Sequence, residues 1–533
     1  MASALMDVKT FTSHKSGFGI IPARSERVTM HCPEMGTPQQ LATLREYLTQ
    51  CGFNQAAICL RLGLGSADEL DLSTLSGHPP VKRQASDSLD ALIVLFILGE
   101  FLPTAEAVSF FPGAVWDALV QTGLVFLDGA GANRCFATVA LYPIRGLFIA
   151  SDRWNNPDHS PRQSFADIVY PAMTRGAREF LGFTSFEACE GFLEICAGTA
   201  AAALLAARQC GQVWATDIAE RSIRFAQFNA ALNGIQHVTV AKGDLYQPVA
   251  GQTFDRIAAH PPYMPVLRPA EIYYAGGEDG EEITRRIITE LPAFLRPGGR
   301  LYCRTLGSDR PGKTFEHRLR EWLGKKQAEF DIAVFIGRTV EPRQFAVEEC
   351  IRKRGGSEEL VQWEQLFKRH QIEGLLTGMV VVQRVRAHRP VFTIRRTMGK
   401  ETHPAAIEWA LGWETEIQRE GATSLLAGER PLVSPRIELA ARHRFRDCEI
   451  VPGDFTLSID YPFATDCKVQ PWMALLLSRC DGKLPVEELF EISKQNGWIV
   501  PETPPEEFRA LLATMVSGGF LQLEKFRLPA AEE

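Results

Sequence analysis

Between residues 190 and 265 four apolar runs follow one another, and each ends on a polar group. They are Phe192-Leu-Glu-Ile-Cys-Ala-Gly-Thr-Ala200, Trp214-Ala-Thr-Asp217, Lys242-Gly-Asp-Leu245 and Ala259-His-Pro-Pro-Tyr263. Long helical patterns separate the first three, and successive strands joined by helices form a parallel sheet, because each parallel pairing needs a crossover. All four strand ends then face one edge of the sheet, which is where open α/β folds hold ligands. This pattern predicts an α/β chain with a binding site at that edge.

Further strand-like runs extend it. Residues 191–195, 212–217, 238–242, 256–259, 299–305, 330–336 and 378–384 predict a doubly wound, mostly parallel, seven-stranded sheet. Helices are expected at 200–209, 219–233, 280–294 and 314–323, with an irregular insertion before the last strand. The expected division is a flexible stretch 1–37, an N-terminal helical, winged-helix-like domain 38–150, a catalytic domain 151–390, a connecting segment 391–450 and a C-terminal winged-helix-like domain 451–533. The two flanks echo each other: Leu102-Pro-Thr-Ala-Glu106 stands beside Leu484-Pro-Val-Glu-Glu488, and each flank has a helix closed by glycine before an apolar strand. Helical caps that only cover the sheet are the alternative reading of both.

Composition narrows the class. The chain has 533 residues and a formal net charge of −7, which excludes a uniformly basic nucleic-acid coat. Its 12 cysteines include no C-x-x-C pair, and several sit in apolar runs; they read as buried thiols of a reducing compartment, not a disulfide framework or a metal knuckle. Residues 1–30 hold no apolar signal core, and no apolar run is long enough to cross a bilayer. A soluble, cytoplasmic protein without membrane partner or metal is expected; its oligomeric state is left open.

The strand ends carry the chemistry. A turn of small residues lets backbone approach a ligand, and a carboxylate accepts two hydroxyl hydrogen bonds at once. These residues resemble the class I S-adenosylmethionine-dependent methyltransferases. Residues 194–200 match the nucleotide-binding turn that the family writes D-x-G-x-G-x-G, Asp217 the acid that accepts both ribose hydroxyls, and Asp244 the acid facing the adenine amino group. The resemblance implies S-adenosyl-L-methionine as cofactor, held by Glu194, Cys196, Ala197, Gly198, Thr199, Asp217, Ile218, Asp244, Leu245 and His260. Cys196 and Ala200 replace expected glycines, so the turn must keep φ negative there or carry strain.

His260-Pro-Pro-Tyr263 resembles the (N/D)-P-P-Y of amino-group methyltransferases that act on nucleobase amines or glutamine amides. Ala275-Gly-Gly-Glu-Asp-Gly280 and Leu295-Arg-Pro-Gly-Gly299 resemble the G-G-x-D-G and L-x-P-G-G segments of the release-factor glutamine methyltransferase group. The resemblance makes His260, Pro261 and Tyr263 the catalytic set, with Tyr263 stacking on a planar acceptor; Tyr170 and Thr174 stand on the substrate side. Asp279 reads as a helix cap and Cys196 as a buried thiol.

Histidine in the first motif position leaves three readings. His260 accepts a hydrogen bond from an amine and takes its proton as a base, or it marks a different acceptor such as a hydroxyl, or the site is degenerate. Residues 351–400 add eleven Lys/Arg against four Asp/Glu, which reads as an RNA-facing patch or as a face paired internally. The expected function is methyl transfer to a nitrogen of a macromolecule, an RNA base amine or a protein glutamine amide. A small-molecule methyltransferase and a non-catalytic cofactor-binding adaptor are the alternatives.

Overall fold

The computed structural model describes residues 32–75, 85–128, 133–158, 165–268 and 271–529. Its main sheet contains, in chain order, β1 (Gly191–Ile195), β2 (Gln212–Asp217), β3 (Val238–Lys242), β4 (Phe254–Ala259), β5 (Leu295–Asp309) and β6 (Phe330–Val340). The remaining members are β7 (Gly374–Arg384), β8 (Thr393–Met398), β9 (Glu438–Arg446), β10 (Glu449–Ile459) and β11 (Phe463–Val469). Their spatial order is β9-β10-β11-β8-β6-β7-β5-β4-β1-β2-β3. β1 to β5 are mutually parallel where they pair, and β7 lies antiparallel between β5 and β6.

Each of the seven expected strands is present, but the sheet has eleven, not seven. Residues 391–450, expected as a connection, instead supply β8, the Pro404–Leu426 helix and β9. Proline and mixed charge obscured this stretch: the helix carries proline at its first turn, where no N–H partner is lost, and β9 is exposed along its length, so it shows no buried alternation. β10 and β11 likewise belong to the sheet, so the C-terminal helical unit begins only at Pro471–Leu477. Its last strand, Leu521–Gln522, pairs with Leu432–Val433 and not with a hairpin partner of its own.

Before the main sheet, helices that include Pro38–Gln50 and Gly113–Gln121 accompany a three-stranded sheet of Leu102–Pro103, Arg134–Ala137 and Val125–Asp128. A second hairpin, Val139–Ile144 with Leu147–Asp152, crosses the expected boundary at residue 150. It is tied to the Glu220–Leu232 helix by side chains that imitate a strand. Asn229 accepts from the Ala150 N–H at 2.8 Å and donates to its carbonyl at 3.0 Å, and Asn233 does the same with Phe148 at 2.9 and 2.7 Å. Two amides four residues apart on a helix face thus satisfy a strand edge that would otherwise lose its partners. The N-terminal residues are thereby held beside the sheet edge where β1 and β2 end.

The expected flexible stretch 1–37 lies mostly outside the described residues; of its last part, Thr37 caps the first helix through a reciprocal pair with Gln40. Among the described residues no helix is long and apolar enough to cross a membrane.

The close pairing of β6 with β7 yields the first prediction. A Cβ added at Gly378 would lie 1.9 Å from the Phe335 carbonyl oxygen, a rigid backbone atom. Gly378→Ala is expected to lower unfolding free energy by about 1–3 kcal/mol, measured by urea denaturation. A loss within error of zero would mean that the two strands separate at little cost.

Candidate active site

A cavity of about 690 Å³ opens at the carboxyl ends of β1, β2 and β4 and is also lined by residues between Asp167 and Leu181. That volume suits a cofactor-sized ligand. Every residue expected to contact cofactor or substrate lines it: Glu194, Cys196–Thr199, Asp217, Ile218, Asp244, Leu245, His260, Pro261, Tyr263, Tyr170 and Thr174.

The turn after β1 is built without the glycines that such geometry favours. Cys196 has φ +56°, Gly198 +52° and Ala200 +59°. Cys196 and Ala200 therefore carry strain of about 1–2 kcal/mol each, because a Cβ in the left-handed region crowds its own carbonyl. Interlocking bonds hold the turn: Ala197 N–H donates to the Thr216 carbonyl at 3.1 Å, Ala200 N–H to the Ala197 carbonyl at 2.7 Å, and Gly198 N–H to Asp217 at 2.9 Å. Glu194 stays in the sheet, buried, and accepts from the Ala203 N–H at 2.7 Å, so it caps the following helix. Burial pushes its carboxyl up to about 8 despite that bond. Burial also raises the Cys196 thiol well above its ordinary range, as befits a space-filling residue and not a nucleophile.

Asp217 is the hinge of the cofactor side. One carboxylate oxygen accepts from Gly198 N–H and the other from Ala219 N–H, both at 2.9 Å, which leaves lone pairs on each for a ligand's hydroxyls. Burial raises its carboxyl. Beside it Ile218 is 52% exposed, an apolar surface on the cavity wall. Space above Gly198 is open, since an added Cβ there would meet nothing within 4 Å. An open turn, a two-oxygen acceptor and an apolar shelf suit a nucleoside. Asp244 is less free than expected: Arg286 donates to it at 2.6 Å from the Glu282–Glu290 helix, so the acid faces the cavity as one half of an ion pair.

On the acceptor side three rings form a stack. His260 lies 5.2 Å from Phe180 and 5.7 Å from Tyr263, centroid to centroid, with the latter pair inclined by only 18°. The Arg304 guanidinium sits 5.6 Å from the Tyr263 ring and pairs with Glu179 at 2.9 Å. Burial and the Arg304 charge push the His260 imidazole down to about 3. This disfavours the base reading of His260 and favours the acceptor reading, because a ring beside Phe180 and the Arg304 charge takes up a proton reluctantly. It also adds to the expected role of Tyr263, whose ring already stacks on His260. The substrate-side wall is aromatic: Tyr170 stacks on Tyr273 at 5.2 Å and meets Trp154 edge-on. Thr174 is buried with its hydroxyl turned to the Pro171 carbonyl, so it supports the wall and does not project from it. Asp279 accepts from Glu281 N–H at 3.1 Å and from Arg285 and Arg310, as a cap would.

Sequence reasoning missed Arg286, Phe180, Tyr273 and Arg304. Arg304 alone left a signal, an arginine inside the otherwise apolar run Leu301-Tyr-Cys-Arg-Thr-Leu306. The expected insertion before β7 is a helical pair, Pro342–Lys353 and Ser357–Arg369, whose apolar core packs against Tyr263, Met264 and Leu267 and backs the motif.

Residues 187–323 match the family model described as "Methyltransferase small domain". Over 159 residues the chain is 30% identical to a ribosomal protein uL3 glutamine methyltransferase of Bradyrhizobium diazoefficiens, covering 27% of this chain and 50% of that one. It is 34% identical over 113 residues to a release factor glutamine methyltransferase of Xylella fastidiosa, covering 19% and 41%. To a putative protein N5-glutamine methyltransferase of Methanocaldococcus jannaschii it is 34% identical over 114 residues, covering 20% and 57%. The chain spans about half the length of these curated relatives. This stretch is therefore similar to the class I S-adenosylmethionine-dependent methyltransferases of the glutamine methyltransferase group.

Strain in the turn is testable. Ala200→Gly is expected to raise stability by up to about 1 kcal/mol, because relief of the left-handed penalty exceeds the added flexibility of the unfolded chain. Thermal melting of the variant beside wild type checks it; a lower Tm would show that the Ala200 side chain, fully buried, contributes more by packing than it costs in strain.

Proposed function

We propose that this protein is an S-adenosyl-L-methionine-dependent methyltransferase that modifies a nitrogen of a macromolecule, a protein glutamine amide in first place. The observation that carries the reading is the convergence at one cavity of the Asp217-braced turn and the His260–Tyr263 motif, in a stretch similar to glutamine methyltransferases. Bound S-adenosyl-L-methionine supplies an electrophilic methyl group. Asp217 accepts the ribose hydroxyls, Ile218 and Leu245 flank the adenine, and the small turn 196–199 lets backbone approach the cofactor. His260 offers one neutral ring nitrogen to an N–H of the acceptor, and the Pro261 carbonyl takes a second. This would aim the nitrogen lone pair at the methyl carbon, whose bond to sulfur breaks as the N–C bond forms, and the proton the nitrogen then sheds would pass to solvent; the rate gain comes from orientation.

Protein is favoured over RNA by the fate of seven of the eleven basic residues in 351–400. Arg352 and Lys353 pair with Glu349, Arg369 with Glu278, Arg384 with Glu329, Arg389 with Asp331, Arg395 with Asp309 and Glu316, and Arg396 with Glu414. Charge used in this way is not available to release counterions from phosphates. The division into an N-terminal helical domain, a catalytic domain and a C-terminal helical unit remains the working organisation, with the flanks choosing the substrate. A soluble protein acting on translation components in the cytoplasm fits the same reading.

Two variants separate binding from chemistry. Asp217→Ala is expected to weaken S-adenosylhomocysteine binding at least about 100-fold in calorimetric titration, by loss of two charge-assisted bonds of about 1.5–3 kcal/mol each. Wild-type affinity in that variant would remove Asp217 from the cofactor site. Tyr263→Ala is expected to bind cofactor normally and lose methyl transfer to a protein extract, followed by mass spectrometry of glutamine. Unchanged transfer would place the acceptor elsewhere.

A further inference from the structure

The (N/D)-P-P-Y motif that residues 260–263 resemble begins with an amide or carboxylate oxygen, a permanent acceptor at neutral pH. Histidine is not: an imidazolium has two N–H donors and no lone pair. A histidine in this place works only if something keeps it unprotonated, and the surroundings contain such a device. Arg304 lies on β5 behind the ring stack, 7% exposed, with its guanidinium over the Tyr263 ring. Glu179 holds one of its nitrogens at 2.9 Å from the Arg175–Phe183 helix, while Nε is buried without a hydrogen-bond partner. That is an expensive position for a cation, since a buried guanidinium with an unmet donor costs free energy that an apolar residue would not. It also stands one ring away from His260.

We propose that Arg304 is a positioning residue that keeps the His260 lone pair available to the methyl acceptor, by fixing a positive charge behind the ring stack. The proposal rests on the methyl-transfer reading given above. Glu179 pairs with Arg304 at 2.9 Å and offsets part of this charge, but it is the guanidinium that lies over the Tyr263 ring. Glu179 is engaged by Arg304 and Arg175 on its own helix, Asp71 is turned to the Arg175 N–H and Arg178, and Glu194 lies on β1 as the helix cap. Neither ring nitrogen of His260 is hydrogen-bonded to any described residue, so the lone pair is not used by the protein itself. The imidazole, pushed down to about 3, keeps that lone pair at every pH where the fold is expected to work. Because the folded pKa lies below the unfolded one, this histidine lowers stability as pH falls from about 6.5 towards 3 and has no effect above that window.

The experiment is a pH titration of the His260 Cε1–H signal in the full-length chain labelled at histidine, with His260→Asn to assign it. Wild type is expected to show no titration down to pH 5. In Arg304→Gln the signal is expected to titrate at least 1.5 pH units higher than in wild type, and in Arg304→Lys, which keeps the charge, to stay low. Arg304→Met, which retains the apolar stem, repeats the measurement if the Gln variant does not fold. A wild-type midpoint near 6.5, or no movement in the charge-removed variants, overturns the proposal.

Methyl transfer gives the second readout. In Arg304→Gln kcat/KM is expected to fall about tenfold for each pH unit below the raised midpoint, whereas wild type stays flat. Arg304→Gln combined with His260→Asn is expected to lose that acid limb, and its persistence overturns the proposal. Absence of any methyl transfer beside the expected titration shifts would instead sink the function reading and leave the Arg304–His260 coupling intact.

Discussion

β1 pairs in parallel with β2 on one side and with β4 on the other, and this placement governs the rest of the molecule. Chain order runs outward from β1 to β2 and β3, then jumps back across it to β4 and β5. The crossovers leave on opposite sides, so their turns diverge and open a crevice above the strand ends. Glu194, Asp217 and His260 are carried to that crevice by this one reversal. Glu194, Asp217 and His260 lie far apart in sequence but end neighbouring strands, and their separation is set by strand spacing, not by loop length.

Within the crevice, rigidity comes from shared hydrogen bonds. Asp217 holds the turn after β1 through Gly198 and its own helix through Ala219, so one carboxylate couples two strand ends. Positive φ at Cys196 and Ala200 is tolerated because the interlocked bonds of residues 197–200 over-determine the turn. A loosely held loop would relax to negative φ. The acceptor side is held differently, by rings and a buried ion pair, with the Pro342–Arg369 helices as backing.

The flanking residues are not appendages. Asn229 and Asn233 tie the N-terminal hairpin to a helix of the sheet, and Arg221 with buried Asp152 adds an ion pair between the same two parts. At the other end Arg396 on β8 reaches Glu414, which Ser517 of the C-terminal helix also contacts. Trp413 is fully buried against Phe526. Such polar bonds across a packed contact favour one arrangement of the parts over others, since an unmatched buried group costs more than the bond contributes.

By itself the sequence determined the α/β class, the positions of seven strands and the strand-end residues of the cavity, though not Phe180, Tyr273 or Arg286 beside them. These are local in origin: strand and helix periods are written in consecutive residues, and the polar strand ends follow from them. What escaped the sequence depends on partners distant along the chain. Four more strands join the sheet because β8 finds β6 and β11, a pairing that no local pattern in 391–469 announces. Arg286 claims Asp244 across 42 residues, and in the basic stretch 351–400 Arg369 pairs with an acid as far away as Glu278. The state of His260 was least legible of all. Its identity suggested a base, but its place beside Phe180 and the charge of Arg304 lower its affinity for a proton. Burial and a neighbour's charge are properties of assembled space, and only the tertiary structure decides them.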